Sequence, residues 1–367
     1  MDNKKLKITV YAITKNEEKF IDKWVNSMSE ADEIVVLDTG STDKTVELLK
    51  KRGVKVTQKE IKPWRFDVAR NESLKLVSED TDVCVCTDLD EVFEKGWRKK
   101  IEENWKPNTK KLKYKYVWNV LPNGQDGTTF YYEKIHAPNY FKWVYPVHEV
   151  LEKIKPIKNE EIAICEDLVL RHYPDKEKSR GQYLPLLELA VKENPNNDRN
   201  AHYLAREYYF CGQYDKAITM FKKHLNLKSS TWHEERSASL RYMGDCYLHK
   251  NMPKKAKEYY EKAIVECFDI REPYLSLAQF YYNKNDYLNC AFVLENMLKI
   301  NKKSLTYIVN PNCWNEYPYD MLNFCYYNLK QTELAYFYAQ KALLINPEDK
   351  RLQNNYLLYK KLLEKNK

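Results

Sequence analysis

The sequence predicts an α/β domain followed by an all-α solenoid of helix pairs, and three observations carry that expectation. The N-terminal part alternates short apolar runs with segments of helical spacing. After Pro174 the pattern becomes helix pairs that recur along the chain. The 30 tyrosines are unevenly spread, with pairs such as Tyr208-Tyr209, Tyr259-Tyr260, Tyr281-Tyr282 and Tyr326-Tyr327 in the second half. A chain of 367 residues is long enough for two cores. The expected domains are residues 1–175 and 176–367.

Residues 6–13 read as a strand, and 17–28 as a helix through Phe20, Ile21, Trp24, Val25 and Met28. Residues 33–37 form a second strand that ends at Asp38-Thr39-Gly40-Ser41-Thr42-Asp43. A helix over 45–51, a strand over 53–57, a helix over 66–77 and a strand over 83–87 follow. This order with short connections fits a βαβ-type parallel sheet. Residues 97–105 look helical and 113–120 extended, and short strands with turns, including Asn123-Gly124, run on to Tyr173.

In the second half, Ala217, Ala256 and Cys290 are spaced by 39 and 34 residues. Each precedes large apolar side chains four and eight residues on: Phe221 and Leu225, Tyr260 and Ile264, Leu294 and Leu298. The small residue permits close helix approach and the large ones fill the gap. A weaker fourth copy covers residues 330–343. These windows resemble tetratricopeptide repeats, whose usual period is about 34 residues. Such repeats are expected to bind a protein or peptide, or to hold a dimer together.

Composition narrows the class. No run is apolar enough to span a bilayer, and the start MDNKKLKITV lacks the apolar core of a signal peptide, so the chain reads as soluble and cytoplasmic. Nine cysteines without a CxxC pair suggest reduced, mostly buried thiols. The net charge of +8 is dispersed among acidic residues, and no nucleic-acid-binding motif accompanies it.

Polar groups concentrate after the early strands: Thr14-Lys15-Asn16-Glu17-Glu18, the 38–43 segment, Arg65 to Glu72, and the acidic cluster Asp88-Leu89-Asp90-Glu91. The first, second and fourth converge along one edge of a parallel sheet. Gly40 permits a tight turn, and Ser41 or Thr42 is suited to cap the next helix. Alternation puts Asp88 and Asp90 on one side if strand geometry persists through Leu89. Two converging carboxylates repel one another unless a cation, a proton or an Arg or Lys offsets them, and a divalent ion carrying a phosphate ester is a natural solution. Neither GxxxxGK[ST] nor GxGxxG is present, which argues against a nucleoside-triphosphate hydrolase and a dinucleotide dehydrogenase.

Taken in order, Thr14 to Glu18, Asp38 to Asp43, Ala69-Arg70-Asn71 and the DxD motif Asp88-Leu89-Asp90 resemble the family 2 glycosyltransferases, with their GT-A, Rossmann-like nucleotide-sugar domain. The resemblance covers residues 6–173. It implies an inverting transfer from a UDP-sugar to a peptide or protein side chain or a glycan. Thr14, Asn16, Glu17, Asp38, Arg70 and Asp88 would bind the nucleotide, and Asp90 and His172 would hold Mn²⁺ or Mg²⁺. Glu149 is the leading candidate base, with Glu91 and Asp167 behind it; Glu91 could instead support Asp90 from behind. His148 would lie on the acceptor side, and Trp64 would line the donor pocket or pack a loop. The alternatives are a metal-dependent nucleotidyl or phosphoryl transferase and a non-catalytic adapter bearing repeats.

Overall fold

The computed structural model describes residues 5–121, 124–158, 161–175, 181 and 183–365. Its contacts divide the chain into two compact units, Met1–Glu193 and Asn194–Lys367. The Asn123-Gly124 turn falls partly outside the described residues.

In the first unit, β1 (Ile8–Thr14), α1 (Ile21–Met28), β2 (Glu33–Asp38), α2 (Thr45–Lys51), β3 (Lys55–Gln58), α3 (Phe66–Leu74) and β4 (Val83–Cys86) follow the expected alternation. β1 pairs in parallel with both β2 and β4, and β2 with β3. Next come β5 (Glu91–Phe93), α4 (Trp97–Asn104), β6 (Thr109–Val117), β7 (Thr129–His136), β8 (Phe141–Val144), β9 (Val150–Lys153), β10 (Glu161–His172) and α5 (Tyr183–Glu193). The eight-stranded sheet has the order β3-β2-β1-β4-β7-β6-β10-β5, with β8 and β9 as a separate ribbon.

Both faces of the central strands are covered. Ile8, Val10 and Ala12 pack with Trp24, Met28, Val36 and Val85 on one side. Tyr11, Val35, Cys84 and Cys86 pack with Phe141 and Trp143 on the other. That two-sided burial is why these strands read as near-continuous apolar runs. Each fully buried aliphatic side chain contributes about 1.5–3 kcal/mol relative to exposure. Cys84, Cys86 and Cys165 are buried free thiols in this core.

Three local expectations are corrected. The helix expected from residue 17 is a 3-10 turn, Glu18–Phe20, that leads into α1. Ser41 and Thr42 do not cap α2, whose N-cap is Lys44 with no side-chain cap bond. Strand geometry stops at Cys86: residues 89 and 90 form a turn closed by the Glu91 amide donating to the Asp88 carbonyl at 3.0 Å. Strand alternation therefore does not relate Asp88 to Asp90.

The second unit is built from α6 (Asp198–Phe210), α7 (Tyr214–Asn226), α8 (His233–His249), α9 (Pro253–Glu266), α10 (Glu272–Asn283), α11 (Tyr287–Leu298), α12 (Tyr317–Asn328), α13 (Thr332–Ile345) and α14 (Lys350–Lys365). The repeating windows are the second helices of the pairs. Ala217, Ala256, Cys290, Phe221 and Leu294 are fully buried, Tyr260 nearly so, and Leu225, Ile264 and Leu298 half-buried. The turn inside each of the four pairs holds one left-handed residue: Gly212, Asn251, Asn285 and Lys330, with φ of 71, 55, 56 and 63°. Gly244 of α8 lets α9 close in, because a Cβ there would lie 2.5 Å from Tyr260 Cε1.

Candidate functional site

The loops after β1 and β2 are stitched into one surface. Asn16 accepts from the Thr42 amide at 2.7 Å and donates its own amide to Ser41 Oγ at 2.9 Å. The Glu17 amide donates to Thr45 Oγ1 at 2.8 Å, and the Lys44 amide to Glu18 at 2.9 Å. Asp38 is fully buried; it accepts from the Gly40 and Ser41 amides, from Ser41 Oγ and from Gln58 Nε2. Its role inside the protein is to hold its own loop. Thr14 Oγ1 is buried at the end of β1 with no hydrogen-bond partner.

A denser network sits at the end of β4. From α3, Arg70 donates to Asp88 at 2.9 and 3.1 Å, to Glu149, and to Cys86 Sγ at 3.3 Å. Its guanidinium lies 5.3 Å from the Trp143 ring. From β7, Lys134 reaches both Glu91 oxygens at 2.7 Å and Asp88 Oδ2 at 3.4 Å. Tyr116 Oη adds a bond to Glu91 at 2.9 Å, and Glu91 takes the Asp88 amide at 2.9 Å. Burial alone would push the Asp88 carboxyl up, but Arg70 and Lys134 outweigh it and hold it well below the usual range. Burial likewise opposes the charges of Arg70 and Lys134, yet Asp88 with Glu149, and Asp88 with Glu91, lift both well above their ordinary values. The Asp88 side chain is 34% exposed while Glu91 is 2% exposed, so of these two carboxylates Asp88 is the one open to solvent.

Asp90 turns the other way. Its Oδ2 lies 3.1 Å from His172 Nε2, and its carbonyl accepts from the Tyr173 amide at 2.7 Å. His172 Nδ1 lies 2.9 Å from the Trp118 carbonyl, and its ring packs 4.7 Å from that of Trp118. The carbonyl fixes the proton on Nδ1 and leaves Nε2 directed at Asp90, the orientation metal-bound histidines adopt. Burial opposes protonation of His172, but the bond to Asp90 raises its pKa above the ordinary value. The Asp90 oxygen and the His172 imidazole nitrogen thus face one another directly. That oxygen and nitrogen would suit Mn²⁺ or a similar divalent ion.

The remaining candidates are placed as follows. Glu149 is buried and committed to Arg70. Asp167 sits on β10 with its side chain 73% exposed, its polar partners being Lys100 at 3.8 Å and the Cys165 thiol at 3.1 Å, so it joins neither network. His148 has a left-handed backbone and packs against Tyr183 at 5.9 Å. Trp64 packs edge-on against Phe66 at 5.1 Å. Asp67 pairs with Arg65, and Asn71 exchanges two hydrogen bonds with the Trp143 backbone.

The profile of the family Glycosyl transferase family 2 matches residues 9–163, the span that supplies Arg70, the acidic turn, Lys134 and Glu149. Residues 9–163 are a family 2 glycosyltransferase domain. A Tetratricopeptide repeat profile matches residues 198–264 behind it. The chain is similar to an uncharacterized glycosyltransferase of Rickettsia bellii, 36% identical over 97 residues, covering 26% of this chain and 32% of that protein. It is also similar to one of Rickettsia typhi, 46% identical over 59 residues, covering 16% of this chain and 19% of that one. The chain thus spans about a third or less of the length of these curated relatives. Among solved structures, YrrB, a TPR protein with an unusual peptide-binding site, matches at 17% identity and a TM-score of 0.38, covering 48% of this chain and 84% of that one. Among the described residues no helix is long and apolar enough to cross a membrane.

Sequence reasoning missed Lys134 and Tyr116, which sit in the glycosyltransferase domain beneath the acidic turn. The available signal was a lone lysine in the apolar-aromatic run Phe130-Tyr131-Tyr132-Glu133-Lys134-Ile135. It also missed Trp118, whose carbonyl sets the His172 tautomer.

Proposed function

We propose that this protein transfers a sugar from a nucleoside-diphosphate sugar, a UDP-sugar in the first instance, to a peptide or protein side chain or a glycan, with inversion and with a divalent ion. The observation that carries the reading is the division of labour in the acidic turn. Asp88 is charged, partly exposed and steered by two cations, whereas Asp90 shares its oxygen with His172. A ribose hydroxyl suits the first carboxylate, as a charge-assisted hydrogen-bond donor to it. Asp90 and His172 would hold the ion, which supplies charge stabilisation for the departing diphosphate. The unpartnered Thr14 hydroxyl and the stitched 16–18 and 38–45 loops support placing the base nearby. Glu149 and Glu91 act in this reading as positioning residues, holding Arg70 and Lys134, because each is buried against its cation. Nucleotidyl transfer is disfavoured by the lack of a glycine-rich phosphate loop.

Calorimetry with UDP in the presence and absence of Mn²⁺ tests the reading. Affinity should rise with the ion in the native protein, and that gain should vanish in Asp90→Asn and His172→Ala. Equal affinity with and without Mn²⁺ in the native protein would remove the metal from the mechanism.

A further inference from the structure

The first helices of the repeat pairs contact one another in series, α6 with α8, α8 with α10 and α10 with α12. On α6, Arg199, Tyr203, Arg206 and Phe210 recur at helical spacing and form one stripe. The Arg206 guanidinium lies 5.2 Å from the Tyr203 ring, 5.9 Å from Phe210 and 5.7 Å from Tyr242 of α8. The Arg241 guanidinium lies 5.8 Å from that same Tyr242 ring and borders a cleft with Ser304 and Tyr307. Arg206 Nε and Nη1 and Arg241 Nε are shut off from solvent and have no hydrogen-bond partner.

The carboxylates around them are engaged elsewhere. Glu235 lies 3.3 Å from His224, Asp245 accepts from Tyr260 Oη at 2.6 Å, Glu234 from Thr306 Oγ1 at 2.6 Å, and Glu272 from the Asn310 amide at 3.0 Å. Among the described residues neither Arg206 nor Arg241 has an ion-pair partner. Buried guanidinium N–H groups left unpaired are expensive, since each forfeits its hydration without replacement. Aromatic faces offset part of that loss, but they do not satisfy donors that lie in the guanidinium plane.

We propose that Arg206 and Arg241, with the Tyr307 hydroxyl, form a binding site for an anionic group, a carboxylate or a phosphate, on the first-helix face of the repeats. The guanidinium fork matches both groups in shape and charge. A cation is not the occupant, although His202, His224 and Glu235 bring ligand atoms within 4.8 Å of one another. The His202 nitrogens are engaged by Ser239 and Tyr307 at 2.7 and 2.8 Å, and those of His224 by Ser239 and Ser230 at 2.9 and 3.0 Å. Burial first, and then Arg206, hold the His202 pKa well below its ordinary value, which reports the positive field of the site.

The test uses the full chain and needs no acceptor. Thermal melting and tryptophan fluorescence, with Trp232 5.3 Å from the Tyr307 ring, are followed during titration with inorganic phosphate and, separately, with glutarate. Sodium chloride at matched ionic strength is the control. A saturable response to one or both anions is expected; the stronger arm tells whether phosphate or carboxylate is the preferred group. Arg206→Gln and Arg241→Gln should each weaken it about tenfold or more, as the loss of a charge-assisted hydrogen bond predicts. Arg206→Lys, which keeps the charge and loses the fork, should fall between. Absence of a saturable response to either anion in the native protein would overturn the proposal, as would an unaltered response in the Arg206→Gln/Arg241→Gln double variant.

Discussion

Replacing Lys134 by methionine should destabilise the first unit by about 3 kcal/mol, the low end of what breaking a buried ion pair costs. Lys134 Nζ sits 2.7 Å from both Glu91 oxygens, and each side chain is 2% exposed, so solvent cannot take over the lost partner. The low end applies because Glu91 retains Tyr116 Oη and the Asp88 amide, both at 2.9 Å. For a unit of this size the loss corresponds to a fall in melting temperature of about 6–12 °C. The Glu91→Gln/Lys134→Met double variant removes both charges and keeps an acceptor for Tyr116. It should therefore recover about 2 kcal/mol relative to the sum of the single changes. Urea unfolding of the four proteins of this cycle, followed by circular dichroism, measures the coupling. A Lys134→Met loss under about 1 kcal/mol, or strict additivity in the cycle, would refute the buried-pair reading.

Burial pushes His136, bonded to Tyr11 Oη at 2.8 Å, down to about 4. Its folded value lies below the ordinary one, so its contribution to stability is fully present above pH of about 6.5. That contribution fades as pH falls toward 4, by about 3 kcal/mol at the low end. His136→Gln should flatten the stability profile in that window, measured as denaturation midpoints against pH; unchanged slopes would count against it. Gly244→Ala should destabilise the repeats by about 1–3 kcal/mol through overlap with Tyr260, and by much less in a Tyr260→Leu background. Thermal melts that show the same loss in both backgrounds would exclude the close approach as its cause. Lys330→Gly should stabilise by up to about 1 kcal/mol, because glycine accepts the left-handed turn without strain; a lowered melting temperature would contradict it.

Much of the architecture was legible in the residues. The central strands declared themselves by unbroken apolar runs, and α2 matched its expected span because short apolar periodicity is local information. The repeats were legible because Ala217, Ala256 and Cys290 stand in a fixed relation to the large side chains that cover them. The acidic turn was found, but its internal geometry was not. The split between Asp88 and Asp90 depends on where β4 stops, and β5 is a three-residue strand that owes its existence to pairing with the end of β10. Lys134 was invisible for a related reason: only the neighbourhood β4-β7-β6 brings it under Asp88, and strand order across the sheet is tertiary information. Glu149 is the expected base because the resemblance puts His148-Glu149 on the acceptor side of an inverting transfer. In the fold its neighbour of consequence is Arg70, far away in sequence.

The short link from β4 to β5 has a mechanical consequence. Four strand spacings separate these two strands in the sheet order, about 19 Å if the sheet were flat. Five peptide steps from Cys86 to Glu91 span at most about 18 Å when fully stretched, and here they are folded into a turn. The sheet must therefore curl, and the acidic turn acts as a bowstring that sets the curvature, pinned midway by Lys134 and Tyr116. Lengthening this link by even a residue or two would let the bow relax and draw Asp90 away from His172, with every individual side chain of the site still in place.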